Sequence, residues 1–145
     1  LNTTDYLGTG TNVVEHALDG ETEAAAFLLK IVFTAVTLGC GFRGGEIVPT
    51  LFVGATFGCL FGQLTGLSPS MAAACGMAAV FCGVTNCPIS SMLLSFELFG
   101  FDFMPFILLA VGISYLESGY YGLYHSQKIL YSKTKLQFIN THTKE

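Results

Sequence analysis

From Ile47 to Phe96 the chain runs for fifty residues without a single Asp, Glu, Lys or Arg. No surface facing water tolerates an uncharged stretch of that length, so the expected solvent is the lipid bilayer. Composition agrees: 52% of the 145 residues are hydrophobic and only 11% are charged, against about 25% charged in ordinary soluble domains. The net charge of −4 comes largely from acids before Ile47, and no basic stripe exists, so nothing suggests a nucleic-acid partner. Cys40, Cys59, Cys75, Cys82 and Cys87 lie in or beside apolar runs with no CxxC pair. They read as small, reduced, buried residues, and neither a metal site, a disulfide nor a cofactor is expected. The chain opens at Leu1 without a basic, then apolar, leader, and it reads as the continuation of an upstream segment.

Glycine and proline punctuate the apolar sequence into helices. Residues 1–20 are polar and turn-rich, with Gly8-Thr9-Gly10-Thr11-Asn12 before a short helix from Val13 to Leu18, and read as an extramembrane loop. Glu21 and Glu23 suit the positive end of a helix dipole, and Ala24 to Leu38 is apolar apart from Lys30 and threonines, ahead of Gly39, Gly41, Gly44 and Gly45. A second helix is predicted from about Glu46 to Leu64, with Pro49 in its first turn and Gly66 after its end. Ser68-Pro69 opens a third, ending around Gly83; Pro88 opens a fourth, through Phe99; Pro105 to Leu116 or beyond makes a fifth. Leu123 to about Tyr131 is predicted as a last helix after Gly119 and Gly122. Residues 21–131 are thus expected to be membrane helices, and 132–145 a cytosolic tail by the positive charge of Lys128, Lys133 and Lys135. Several of these helices are shorter than a bilayer and break at mid-membrane, where irregular backbone is tolerated only under protein cover or beside a watery cavity. That pattern points to transport.

Three constellations could carry chemistry. In Gly41-Phe42-Arg43-Gly44-Gly45-Glu46-Ile47-Val48-Pro49 a glycine turn enters a helix, leaving the amides of Glu46, Ile47 and Val48 without intrahelical acceptors. An anion could bind there with the help of the dipole, or Glu46 could simply cap its own helix. Gly54, Gly58, Gly62 and Gly66 recur every fourth residue and form a face on which a neighbouring helix can pack closely. Tyr120, Tyr121 and Tyr124 offer phenol donors to a weakly hydrated anion, or an aromatic belt at the interface. Glu97 and Glu117, near helix ends in apolar sequence, could move protons or hydrogen-bond between helices. An enzyme is not expected: no GxxxxGK(S/T) or full GxGxxG is present, and no histidine lies between His16 and His125.

Gly44-Gly45-Glu46-Ile47-Val48-Pro49-Thr50-Leu51, Gly54-Ala55, Gly76-Met77-Ala78-Ala79, Asn86-Cys87-Pro88-Ile89 and Glu97, in this order and spacing, resemble the second half of CLC chloride channels and transporters. The resemblance runs from about Thr9 to Tyr131. It implies an all-α, polytopic membrane fold, the C-terminal half of an inverted-repeat architecture of short, tilted and broken helices. It further implies that the amides of Glu46 and Ile47 bind the central anion, and that the hydroxyl of Tyr124 reaches the same ion. The segments resembling GSGIP and GREGP, the latter carrying the gating glutamate, are absent. An N-terminal half of the same protein and a homodimer, with contacts from Pro88 to Phe99 and Pro105 to Leu116, are therefore expected partners.

Glu46 is a departure from chloride members, many of which are apolar there, and makes this turn similar to the fluoride/proton antiporter branch, as do Thr85-Asn86-x-Pro88 and Glu97-Leu98-Phe99-Gly100. Val48 departs from that branch, where a hydroxyl residue is expected. The expected function is chloride transport as part of a channel or anion/proton exchanger. Fluoride/proton antiport is the alternative, and a non-transporting membrane assembly subunit is a second. Glu46 is the proton-coupling candidate.

Overall fold

The computed structural model describes residues 10–20, 26–41, 45–124, 126–133, 135 and 137–142. Glu21, Glu23, the Phe42-Arg43-Gly44 part of the glycine turn and His125 lie outside them. Six helices follow one another: α1 (Thr11–Leu18), α2 (Ala26–Gly39), α3 (Ile47–Thr65), α4 (Pro69–Thr85), α5 (Pro88–Phe99) and α6 (Met104–Glu117); two short strands, β1 (Lys128–Tyr131) and β2 (Phe138–His142), come after. The residues form two compact units, 1–77 and 78–145, dividing within α4.

In the first unit α1 and α2 pack on α3, with Phe52 fully buried against Val13, Val14 and Leu29. Phe27 meets Phe57 edge to face at 5.5 Å. Gly66 ends α3 in the left-handed conformation, φ 74°, and Pro69 starts α4 where its missing N–H costs nothing. Gly54, Gly58 and Gly62 face the first half of α4. A Cβ on Gly54 would lie 2.8 Å from Met77 Cα, one on Gly58 would lie 3.0 Å from Ala73 Cα, and one on Gly62 would lie 2.9 Å from Pro69 Cα. A Cβ on Gly66 would meet nothing within 4 Å among the described residues, so Gly66 departs from the expected packing face and serves instead as the helix cap.

In the second unit α5 and α6 pack against each other and are joined through the Gly100–Phe103 turn. The Ser114 hydroxyl donates to the Ala79 carbonyl at 2.6 Å, tying α6 to the end of α4. Gly83 does not end α4, which continues to Thr85, whose hydroxyl donates back to Phe81 O at 2.8 Å. Beyond Gly119 the expected last helix is not formed. Leu123, Tyr124, Ser126 and Gln127 are in neither helix nor strand, and Lys128–Tyr131 pairs antiparallel with Phe138–His142, Tyr131 opposite Phe138. The β-branched Ile129, the aromatic Tyr131 and the Tyr131–Phe138 ring contact at 5.6 Å favour a strand pair there.

Much of the outward surface is apolar: Leu28, Val32 and Val36 on α2, Phe57, Phe61 and Leu64 on α3, and Leu109 and Ile113 on α6 are exposed. Such faces require lipid or another protein surface. Among the described residues Ile47–Thr65 is the one helix long and apolar enough to cross a bilayer alone, and four shorter apolar helices accompany it. Cys59 and Cys82 are buried, Cys75 and Cys87 half-buried, and all five cysteines are free thiols. Cys40 is exposed, against expectation, since it lies past the end of α2.

Candidate functional site

The start of α3 is built by Gly45 and Glu46. A Cβ on Gly45 would meet nothing within 4 Å among the described residues, and Glu46 is the N-cap at φ −84°, ψ −16°. The Glu46 carbonyl accepts the first ladder bond from Thr50 N at 3.3 Å and a second bond from the Thr50 hydroxyl at 2.7 Å. By helix geometry the amides of Ile47 and Val48 therefore lack intrahelical acceptors, and Pro49 has no amide to satisfy. Ile47 is 38% exposed and Glu46 is half-buried. The Glu46 carboxyl makes no capping hydrogen bond to its own helix, so it does not occupy these amides, and none of the described residues accepts a hydrogen bond from them. A 19-residue helix brings its dipole to the same point. The chemistry this permits is recognition of a small anion by backbone N–H groups, with a carboxyl nearby that repels the anion when ionised.

Tyr124 belongs to the second unit. It lies in irregular chain, 47% exposed, rather than at the expected helix start. Its carbonyl accepts from Gln127 N at 3.1 Å, and one residue earlier Leu123 N donates to Val84 O at 2.9 Å. The Tyr120 hydroxyl is bonded to the Ser132 hydroxyl at 2.8 Å, which engages it with the tail, and Tyr121 is exposed. Glu97 and Glu117 are both exposed and so are not buried acids within this chain.

Three polar residues carry more structure than their sequence context suggests. Lys30 is 3% exposed, with its ammonium 5.0 Å from the centre of the Phe52 ring. Lys133 donates to Tyr115 O at 2.6 Å and to the Ser118 hydroxyl at 3.0 Å, and its ammonium stacks 3.8 Å over the Tyr115 ring. It thereby caps the C-terminal end of α6 from the tail, where a cation is favoured. Burial pushes the Lys133 ammonium below its ordinary pKa. Asn86, in the break between α4 and α5, is buried and donates its amide to Gly119 O and Tyr121 O. The signal that could have found it is an Asn directly before Cys-Pro, a position tolerant of left-handed backbone.

The model of a family described as voltage gated chloride channel matches residues 1–119. A chloride/fluoride channel protein of Pseudomonas syringae pv. tomato is 38% identical over 128 residues, covering 88% of this chain and 28% of that protein. A putative chloride channel protein, ClcB-like, of Ralstonia nicotianae is 35% identical over 105 residues, covering 65% of this chain and 24% of that one. The crystal structure of a CLC-type fluoride/proton antiporter superposes with a TM-score of 0.78 at 32% identity, over 86% of this chain and 32% of the other. The chain therefore spans between about a quarter and a third of the length of these relatives.

Proposed function

The chain belongs to the voltage-gated chloride channel family, CLC, whose members are integral membrane proteins, and on that premise we propose that the full-length protein exchanges a small halide for protons. The observation that carries this reading is the start of α3, where Glu46 stands beside amides that its own carboxyl does not cap. In the proposed mechanism the amides of Glu46 and Ile47 and the hydroxyl of Tyr124 hold the anion. A like charge at ~4 Å costs about 4 kcal/mol at an effective dielectric of ~20, whereas a favourable dipole contact returns ~0.3–1 kcal/mol. Repulsion dominates, so the Glu46 carboxyl must turn away or take up a proton as the anion enters. This couples the two ions.

Fluoride is the proposed cargo, supported by Glu46 in the glycine turn and by the likeness to a CLC-type fluoride/proton antiporter and to a chloride/fluoride channel protein. Chloride is the second reading, supported by Val48, which offers no hydroxyl, and by the ClcB-like relative. The reading includes an N-terminal half, a homodimer using the apolar faces of α5 and α6, where Ile89, Leu93, Leu109 and Ile113 are exposed, and a cytoplasmic tail. It assigns the chain transport, not bond-making chemistry.

Liposomes holding the purified full-length protein test it, with fluoride, chloride and proton electrodes read together. Fluoride efflux with proton uptake is expected. Chloride flux alone would select the second reading, and no flux of either ion above empty vesicles would leave the chain a packing subunit and end the transport proposal.

A further inference from the structure

Tyr124 sits in a segment with no ladder of its own. Gly119 has φ +56°, Gly122 follows, and the described backbone from Gly119 to Gln127 is neither helix nor strand apart from one bridge residue. The carbonyls and amides of such a segment must find partners elsewhere. They find them at the break between α4 and α5. Asn86 Nδ2 donates to Tyr121 O at 2.8 Å and to Gly119 O at 3.3 Å, and Leu123 N donates to Val84 O at 2.9 Å. On the far side of Tyr124, the Gln127 amide donates to Cys87 Sγ at 3.4 Å and reaches Asn86 O at 3.5 Å. Tyr124 is thus bracketed on both sides by contacts to the short stretch from Val84 to Cys87.

Asn86 is shaped for this work. It is 6% exposed and stands at φ +57°, a conformation Asn accepts and most residues do not. Its amide orientation follows from chemistry, because two carbonyl oxygens face it and only the N–H₂ end can donate. The other end, Oδ1, is buried with no hydrogen-bond partner among the described residues. An apolar residue would avoid that desolvation cost, so what this residue contributes is its pair of donors.

We propose that Asn86 is a positioning residue that fixes Tyr124, by clamping the Gly119 and Tyr121 carbonyls to the α4–α5 break. The inference rests on the reading of Tyr124 as an anion ligand only for its effect on halide binding; the clamp itself is independent of that reading.

Two substitutions remove the donors while keeping the backbone: Asn86→Gly, free of left-handed strain, and Asn86→Asp, which keeps the shape. Fluorotyrosine incorporated in the full-length protein reports on the ring, the Tyr124 resonance being assigned from its loss in Tyr124→Phe. Both variants are expected to shift and broaden that ¹⁹F line. Fluoride and chloride dissociation constants are expected to rise roughly 2- to 10-fold, the scale of one hydrogen bond, and to show no further rise when Asn86→Gly is added to Tyr124→Phe. An unchanged ¹⁹F line in a variant that folds overturns the proposal, as does a loss of affinity on Asn86→Gly that is equally large with and without the Tyr124→Phe substitution. If Tyr124→Phe binds halide like the wild type while Asn86→Gly still moves the line, the clamp stands and the ligand role of Tyr124 falls.

Discussion

Replacing Gly58 by Ala adds one methyl group where α3 meets the first half of α4. The new Cβ would point at the Ala72 carbonyl, 3.0 Å from both Ala72 C and Ala73 Cα, where ordinary contacts are 3.4–4 Å. All of these are backbone atoms, so no side-chain rotation relieves the contact, and the helices must part. Overpacking of this kind costs ~1–3 kcal/mol, and parting the helices also loosens the close approaches at Gly54 and Gly62. Against this, Ala gains ~1 kcal/mol over Gly in helix propensity. With those further contacts loosened, the net expectation is a loss of about 1–2 kcal/mol. Gly112 in α6 supplies the control. It lies mid-helix with nothing within 4 Å of a new Cβ, so Gly112→Ala keeps the propensity gain without the clash and is expected to stabilise by ~0.5–1 kcal/mol. Equilibrium unfolding of the purified protein in mixed micelles, followed by helical circular dichroism, reads both. A Gly58→Ala protein as stable as the wild type, alongside a stabilised Gly112→Ala, would refute close packing as the reason for the glycine face.

Tyr124→Phe keeps the ring and removes the hydroxyl, so halide affinity measured by calorimetry is expected to fall by about 0.5–1.5 kcal/mol with the melting temperature unchanged; unaltered affinity would remove Tyr124 from the site. Glu46→Gln removes the charge that opposes the anion, so halide binding is expected to hold or tighten while protons moved per halide fall, and wild-type stoichiometry would leave Glu46 a helix-start residue. Burial lowers the Lys133 pKa below 10.5, so between that lowered value and 10.5 the unfolded chain binds more protons and stability rises with pH, levelling above 10.5. Lys133→Met should flatten that rise in alkaline unfolding titrations and, by removing the cap on α6, speed proteolysis of the hairpin; an identical pH slope would refute the linkage.

The helices are legible in the sequence because Pro and Gly mark their ends by backbone chemistry alone. Pro88 and Gly100 bound α5 as expected, and Gly66 and Pro69 separate α3 from α4, since a missing N–H and a left-handed φ are properties of single residues. Gly83 misleads because its role is contact: a Cβ there would meet the Ser114 hydroxyl at 3.1 Å, and the helix continues past it. The hairpin is not legible, because a four-residue run such as Lys128–Tyr131 fits either period and its partner strand lies in a polar tail whose pairing is set at a distance. Tyr124 and Asn86 share that difficulty. Resemblance puts Tyr124 at a helix start and presents Asn86 only as part of a motif, since what each segment touches depends on chain more than thirty residues away. The periodic parts of this chain specify where it is buried, whereas the residues proposed for the anion stand where periodicity stops, at the entrance to α3 and after α6, and the residue proposed to position one of them stands in the α4–α5 break. Those joints free backbone donors and acceptors that a continuous helix would consume, and so the features that make the sequence hard to read there are those that the proposed function would use to give an unhydrated ion partners in a membrane.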